Sequence, residues 1–184
     1  MDPMRSATTK MTYDQLCLLP DDRQRHELFD GELIVTPAPR PRHQRILGRL
    51  HSKLTAWIEA HSLGEVFLAP LDVLFDEHTV LEPDILFIRQ SRLDIIGEEA
   101  IQGAPDLVVE ILSPSTFYYD LRKKMAVYSR FGVREYWIVD PEMQTIELHR
   151  LTDKGLQLDR RFSSPETFQS PLLPGFEMLV SSIF

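Results

Sequence analysis

The chain has 184 residues, 43% hydrophobic and 26% charged, a length that suits one domain (1–184) and a composition that excludes disorder over most of it. Its formal charge of −8 excludes a protein that wraps nucleic acid over its whole surface, and the single cysteine, Cys17, excludes a disulfide framework or a multi-cysteine metal site. No apolar run approaches the ~18 residues a membrane helix needs, and Met1 to Met11 lacks the apolar core of a secretory signal, so a cytoplasmic protein with no membrane contact is expected.

In chain order, Thr12-Tyr13-Asp14-Gln15 reads as a capping box opening a short helix to about Leu19, before Pro20. His26–Phe29 and Glu32–Val35 flank Asp30-Gly31, a strong two-residue hairpin signal. Across such a turn Glu32 pairs with Phe29 and Glu27 with Ile34. Pro37, Pro39 and Pro41 mark an extended stretch that leads into a long helix ending near Ser62. Strand-like runs follow at Val66–Leu68, Asp72–Phe75 and Asp84–Ile88, then a loop with one helical turn over Arg89 to Gly103. Asp106–Leu112 is a strand, and Tyr119–Phe131 a helix stopped by Gly132. Tyr136–Val139 and Ile146–Arg150 form a second hairpin, and a late strand lies near Glu177–Val180. This order predicts an α/β (α+β) fold, a mixed sheet flanked by helices, with one crossover helix between Asp106–Leu112 and Tyr136–Val139.

Phosphate-binding loops, dinucleotide fingerprints, His-Glu-x-x-His and Gly-x-Ser-x-Gly are all missing from the sequence. What remains is acidic residues on strands. Alternation puts Val108, Glu110 and Leu112 on one face of a strand that reads as buried on both, with Leu107, Val109 and Ile111 on the other. A carboxylate there needs a partner or a metal. Asp106 is four residues away, roughly 13 Å, too far to share a cation. Asp84, which opens the apolar run Ile85–Ile88, is the best second ligand. Two readings stay open: Asp84 and Glu110 share a metal, or Asp84 ends a strand in solvent and Glu110 pairs with an arginine.

The helix that follows adds a lysine. At 100° per residue Lys124 falls at about 300° from Leu121, inside the apolar arc of Met125, Val127, Tyr128 and Phe131, whereas Arg122, Lys123 and Arg130 face away. Lys124 either turns to the carboxylates or snorkels to solvent. Two carboxylates and an inward lysine make a site for phosphodiester cleavage, with Mg2+ the expected ion because its ligands are oxygens (Mn2+ can substitute).

Glu82-Pro83-Asp84, the run Pro105-Asp106-Leu107-Val108-Val109-Glu110-Ile111-Leu112-Ser113-Pro114-Ser115-Thr116, and Gly132-Val133-Arg134-Glu135-Tyr136-Trp137-Ile138-Val139-Asp140-Pro141 resemble the Uma-type family of restriction endonucleases. Asp30-Gly31-Glu32-Leu33 and Leu173-Pro174-Gly175 also fit. The resemblance implies a restriction-endonuclease-like core of the PD-(D/E)XK type, with Asp84 and Glu110 in the acidic positions. Leu112 stands where that pattern has its lysine. Members of the family carry the lysine on the next helix instead, which matches Lys124, with Tyr128 four residues on. The resemblance further implies a hairpin acid in the site, for which Glu32 is favoured, and it has a histidine at His43. By position alone His43 lies in the apolar arc of the long helix and reads as a packing residue rather than a catalytic one. Asp120 reads as the N-cap of the Lys124 helix.

Arg42, Arg45, Arg49 and Lys53 form a basic stripe on the long helix, either a phosphate contact or a solvated face. The leading expectation is a Mg-dependent nuclease acting on DNA, for which two cuts in a duplex favour a homodimer. The alternatives are a hydrolase of another phosphoester, or a catalytically silent domain that binds nucleic acid or protein.

Overall fold

The computed structural model describes residues 10–20, 22, 24–113 and 119–184, with Tyr119 and Asp120 described for their backbone only. The Pro114-Ser115-Thr116 part of the strand motif and the Asp120 cap therefore lie outside the described residues.

The first helix, α1 (Tyr13–Leu16), has the expected capping box: Thr12 accepts from Gln15 N, and the Gln15 side chain accepts from Thr12 N. It is shorter than expected because the next bonds, Leu18 N to Gln15 O and Leu19 N to Leu16 O, tighten into turns. Strands β1 (Arg25–Phe29) and β2 (Glu32–Thr36) pair in the predicted register, Phe29 with Glu32 and Glu27 with Ile34. Both turn residues have positive φ, Asp30 at 54° and Gly31 at 84°, as the tight turn requires.

Helix α2 (Pro41–Ala60) is followed by β3 (Gly64–Leu68), β4 (Val73–Asp76), β5 (Thr79–Leu81), β6 (Ile85–Arg89), β7 (Ile101–Gln102) and β8 (Leu107–Ile111). A 3₁₀ segment, Gln90–Ile95, supplies the expected helical turn before β7. Helix α3 (Tyr119–Phe131) ends at Gly132, whose φ of 85° suits only a residue without a Cβ. Then come β9 (Glu135–Asp140), β10 (Thr145–Thr152), β11 (Gly155–Ser163), β12 (Thr167–Gln169) and β13 (Glu177–Leu179).

The central sheet runs β11-β10-β9-β8-β6-β3. Its one parallel pair is β8 with β9, and α3 is the crossover between them, as expected. A second sheet, β2-β1-β5-β4-β7, stands beside it. Four strands escape the sequence reading. Strands β5 and β7 are only three and two residues long. Most of β11 is an exposed, charged edge strand with Leu156 and Phe162 buried near its ends, and β12 has only Phe168 buried.

The two faces of β8 belong to different cores. Leu107, Val109 and Ile111 pack with Ile46, Leu50, Leu54 and Ile58 of α2. Val108 packs with Tyr128 of α3, Tyr136 and Ile138 of β9, and Phe29, Val73 and Leu81 of the second sheet. Strand alternation thus sends Glu110 to the α3 side, between the central sheet and β1. No helix among the described residues is long and apolar enough to cross a membrane.

Candidate metal and catalytic centre

Antiparallel pairing of β6 and β8 sets Ile85 opposite Val109, so Asp84 and Glu110 occupy adjoining positions one step beyond that pair. The 26-position gap in sequence is closed by this register. Asp84 is 1% exposed, and Glu110 and Lys124 are 7% and 6% exposed. All three line one cavity of about 280 Å3, together with His43, Arg25, Glu27 and Arg40.

Each charged group is held by named partners. Asp84 Oδ2 accepts from Ile111 N at 2.8 Å and lies 3.0 Å from His43 Nε2, and Oδ1 accepts from Arg25 Nη2 at 3.0 Å. Burial works against the charge of Asp84. The His43 hydrogen bond, the Arg25 charge and the Ile111 N–H outweigh it and draw the pKa down to about 2. Lys124 Nζ lies 2.9 Å from Glu110 Oε1 and 2.8 Å from Glu27 Oε1. Tyr128, one turn along α3, donates its hydroxyl to the same Glu110 oxygen at 2.7 Å. Glu110 is pushed up to about 7, chiefly by burial and further by the charges of Asp84 and Glu27, against the pull of Lys124. Burial disfavours the Lys124 charge, but Glu110 and Glu27 more than compensate, and its pKa is raised. Lys124 is therefore an inward cation, as the helical wheel placed it.

The hairpin acid differs from expectation. Glu32 opens β2, the edge strand, beside the turn; it is exposed and pairs with Lys123 at 3.0 Å. Glu27 sits on β1, which is paired on both sides, and is 2% exposed. Besides Lys124 it accepts from Glu82 N at 2.9 Å. An edge strand leaves its side chains a route to water and an inner strand does not, so the structure brings Glu27 to the cluster in place of Glu32. Arg25 and Glu82 also escaped the sequence reading. The signal for Arg25 was its i,i+2 spacing from Glu27, which puts both on one face of β1.

The basic stripe divides. Arg42 is held by Glu142 (2.6 Å) and by the Pro141 carbonyl, and Arg49 by the Phe184 carbonyl, whereas Arg45 is exposed and Lys53 half-buried. Asp106 has a separate environment, buried among Arg89, Arg92 and Arg134, as its distance along β8 implied.

Among the described residues, no three His, Cys, Asp or Glu side chains converge as a ready-made metal cluster. The donor set still suits a hard cation. Four carboxylates, Glu27, Glu82, Asp84 and Glu110, face two permanent cations, Arg25 and Lys124, and leave a charge of −2 when all four are ionised. Burial pushes Glu82 as well as Glu110 up to about 7, with the charges of Asp72 and Glu27 adding to it. One divalent ion with oxygen ligands offsets such a surplus.

A chain from Anabaena variabilis ATCC 29413, described as "a putative nuclease belonging to DUF820", shares this fold with a TM-score of 0.79 and 24% identity, over 95% of this chain and 97% of that one. No curated protein matches the sequence. The family described as "Uma2: Putative restriction endonuclease" matches residues 11–181, a description that carries a nuclease-like role. With the match spanning both sheets and every residue of the buried cluster, the chain belongs to the Uma2 family.

Proposed function

We propose that this chain is a metal-dependent nuclease that hydrolyses phosphodiester bonds in DNA. Asp84 and Glu110 would hold one Mg2+, with Mn2+ able to replace it, and Lys124 is the catalytic cation. The observation that carries this reading is the Lys124 ammonium, 6% exposed and lining the same cavity as both carboxylates. A lysine is buried in this way only where anions hold it.

When bound, the ion would polarise the phosphate and acidify a water. The chain's own residues do the rest. Lys124 Nζ carries a fixed positive charge to the cavity wall, where it offsets negative charge growing on the phosphate oxygens. The Tyr128 hydroxyl and Lys124 both bond Glu110 Oε1 and thereby fix that carboxylate's orientation. His43 Nε2 and Ile111 N do the same for Asp84. Arg45 and Lys53, on the outer face of α2, would contact phosphates farther along the strand. Cutting both strands of a duplex would call for a symmetric pair of chains.

A catalytically silent, nucleic-acid- or protein-binding domain is the second reading, favoured by the three partners that already hold Asp84. A cleavage assay on single- and double-stranded DNA and RNA, with Mg2+, with Mn2+ and with chelator, separates the two. Cleavage that needs the metal supports the nuclease. No cleavage, together with no calorimetric metal binding, leaves the silent domain.

A further inference from the structure

On the floor of the cavity three carboxylates, Glu27, Asp84 and Glu110, outnumber two cations, Arg25 and Lys124, so an incoming phosphodiester is repelled once they are ionised unless the mouth is positive. The mouth is formed by the start of α2. Its N-cap is Arg40, with no side-chain cap bond; Pro41 occupies the first turn, and no acidic residue lies there. The N–H groups of Arg42 and His43 have no intrahelical acceptor, and the positive end of a 20-residue helix is left open. A second observation is independent of the helix. His43, in this turn and 7% exposed, lines the cavity and leaves Nδ1 without a hydrogen-bond partner.

Arg40 itself is exposed, lines the cavity, and makes no side-chain hydrogen bond or ion pair among the described residues. Arg42 and Arg49 contrast with it, since protein oxygens hold both. Flanking prolines fix the Arg40 backbone. Pro41 disfavours a helical conformation at the preceding residue, and Arg40 sits at φ −78°, ψ 159°, an extended geometry. The run Pro39-Arg40-Pro41 is thus a stiff mount for one unpaired guanidinium at an open helix end.

We propose that Arg40 and the uncapped first turn of α2 form a phosphate-binding subsite at the mouth of the cleft, which takes a phosphodiester group of the substrate. The identity of that phosphate as part of a nucleic acid rests on the nuclease reading. The subsite itself requires only the oxyanion.

The test is fluorescence anisotropy of a labelled 12-nucleotide single-stranded DNA, in chelator so that no cleavage intervenes. Arg40→Ala is expected to weaken binding at least about 5-fold at low salt and to reduce the slope of log Kd against log salt by about 0.7, the share of a single neutralised phosphate. Lys154→Ala, an exposed lysine in the β10–β11 turn, is the control and should bind as wild type does. Equal affinities for the two variants overturn the subsite, and DNA cleavage by wild type then leaves the nuclease reading standing. If wild type binds no DNA, an NMR titration with pyrophosphate decides. Shifts of the Arg42 and His43 amides that vanish in Arg40→Ala support the subsite for a phosphate group, while the nuclease reading stands or falls with the metal-dependent cleavage assay. Unshifted amides overturn the subsite.

Discussion

Strand β8 has a buried carboxylate at each end, and the two ends carry opposite charge. Asp106, just before the strand and 0% exposed, is bound by Arg89 Nε (2.9 Å), Arg92 Nη1 (3.0 Å) and Arg134 Nε (3.5 Å). One anion against three cations leaves +2, and those arginine side chains are 33%, 35% and 55% exposed, so water solvates the surplus. Roughly 13 Å along the strand, the Glu110 end reaches −2 when its carboxylates are ionised. Its cations, Lys124 and Arg25, are 7% and 20% exposed, so the surplus there is not solvated in the same way. A buried carboxylate alone does not mark a site. Uncompensated negative charge around a cavity does, because a cation or a substrate has to balance it.

The sharpest way to break this contrast is Asp106→Ala. It leaves three guanidiniums crowded without an anion and strands the Arg89 N–H that bonds Oδ2. We expect a loss of about 3 kcal/mol in urea unfolding, the low end for breaking a buried pair because the arginines can turn to solvent. Metal affinity of the folded fraction should not change. A loss below about 1 kcal/mol, or a change in metal affinity, would mean that the two ends are not separate structures.

Lys124→Met probes the other end. Methionine keeps most of the volume and removes the charge. Cleavage should fall on the order of 10²-fold, about 2.7 kcal/mol of transition-state stabilisation, with metal binding retained in calorimetry. Lys123→Met is the control, because Lys123 pairs with exposed Glu32 outside the cavity. Equal losses from both would show that general electrostatics, rather than a placed lysine, explains the effect.

Both ends were partly legible in the sequence, for different reasons. Glu110 and Lys124 were visible because each breaks a strict apolar periodicity, of two on β8 or of 3.6 on α3, and a polar residue on a buried face has to be accounted for. Asp84 was visible because it opens the apolar run Ile85–Ile88 when Glu110 needed a second ligand. Glu27 and Arg25 were hidden. The hairpin register shows that Glu27 faces Ile34, but it does not show that β1 is covered on its far side by β5, a three-residue strand too short to leave a pattern. The Asp106 arginines come from three separate elements, and no local spacing announces such a cluster. The parallel β8–β9 pair was legible because a helix between two apolar strands has one favoured crossover. By contrast β11 was not, since three apolar residues in nine, of which Leu158 is exposed, cannot outweigh its run of charges.

A third expectation separates the ends thermodynamically. Mg2+ or Mn2+ at ten times its Kd should stabilise wild type by about 1.4 kcal/mol, read as a rise in melting temperature. Glu110→Gln should lose most of that rise. Asp106→Ala should keep it from its lower baseline. An unchanged melting temperature in wild type, with no heat of binding, would remove the metal from the Glu110 end.

The last expectation is the pH dependence of stability without metal, and its sign is diagnostic. Glu110 and Glu82 are both pushed up to about 7 in the folded chain, against about 4.5 unfolded, with burial the leading cause. A raised carboxylate pKa means that the native state holds the proton more tightly than the unfolded state does. Its contribution is therefore fully present below about 4.5 and is lost as pH rises through about 7. Asp84 works in the opposite sense and elsewhere: drawn down to about 2, it stabilises above its ordinary range and is lost only as pH falls toward 2. Urea unfolding in chelator should therefore show stability declining between about pH 4.5 and 7, a window in which Asp84 is silent. Glu110→Gln and Glu82→Gln should each flatten part of that decline, and the double variant most of it. Saturating Mg2+ should flatten it too, because the cation balances the charge that burial penalises. A decline that survives the double variant would trace to groups outside the cluster, and the surplus of −2 would then no longer set the Glu110 end apart from the Asp106 end.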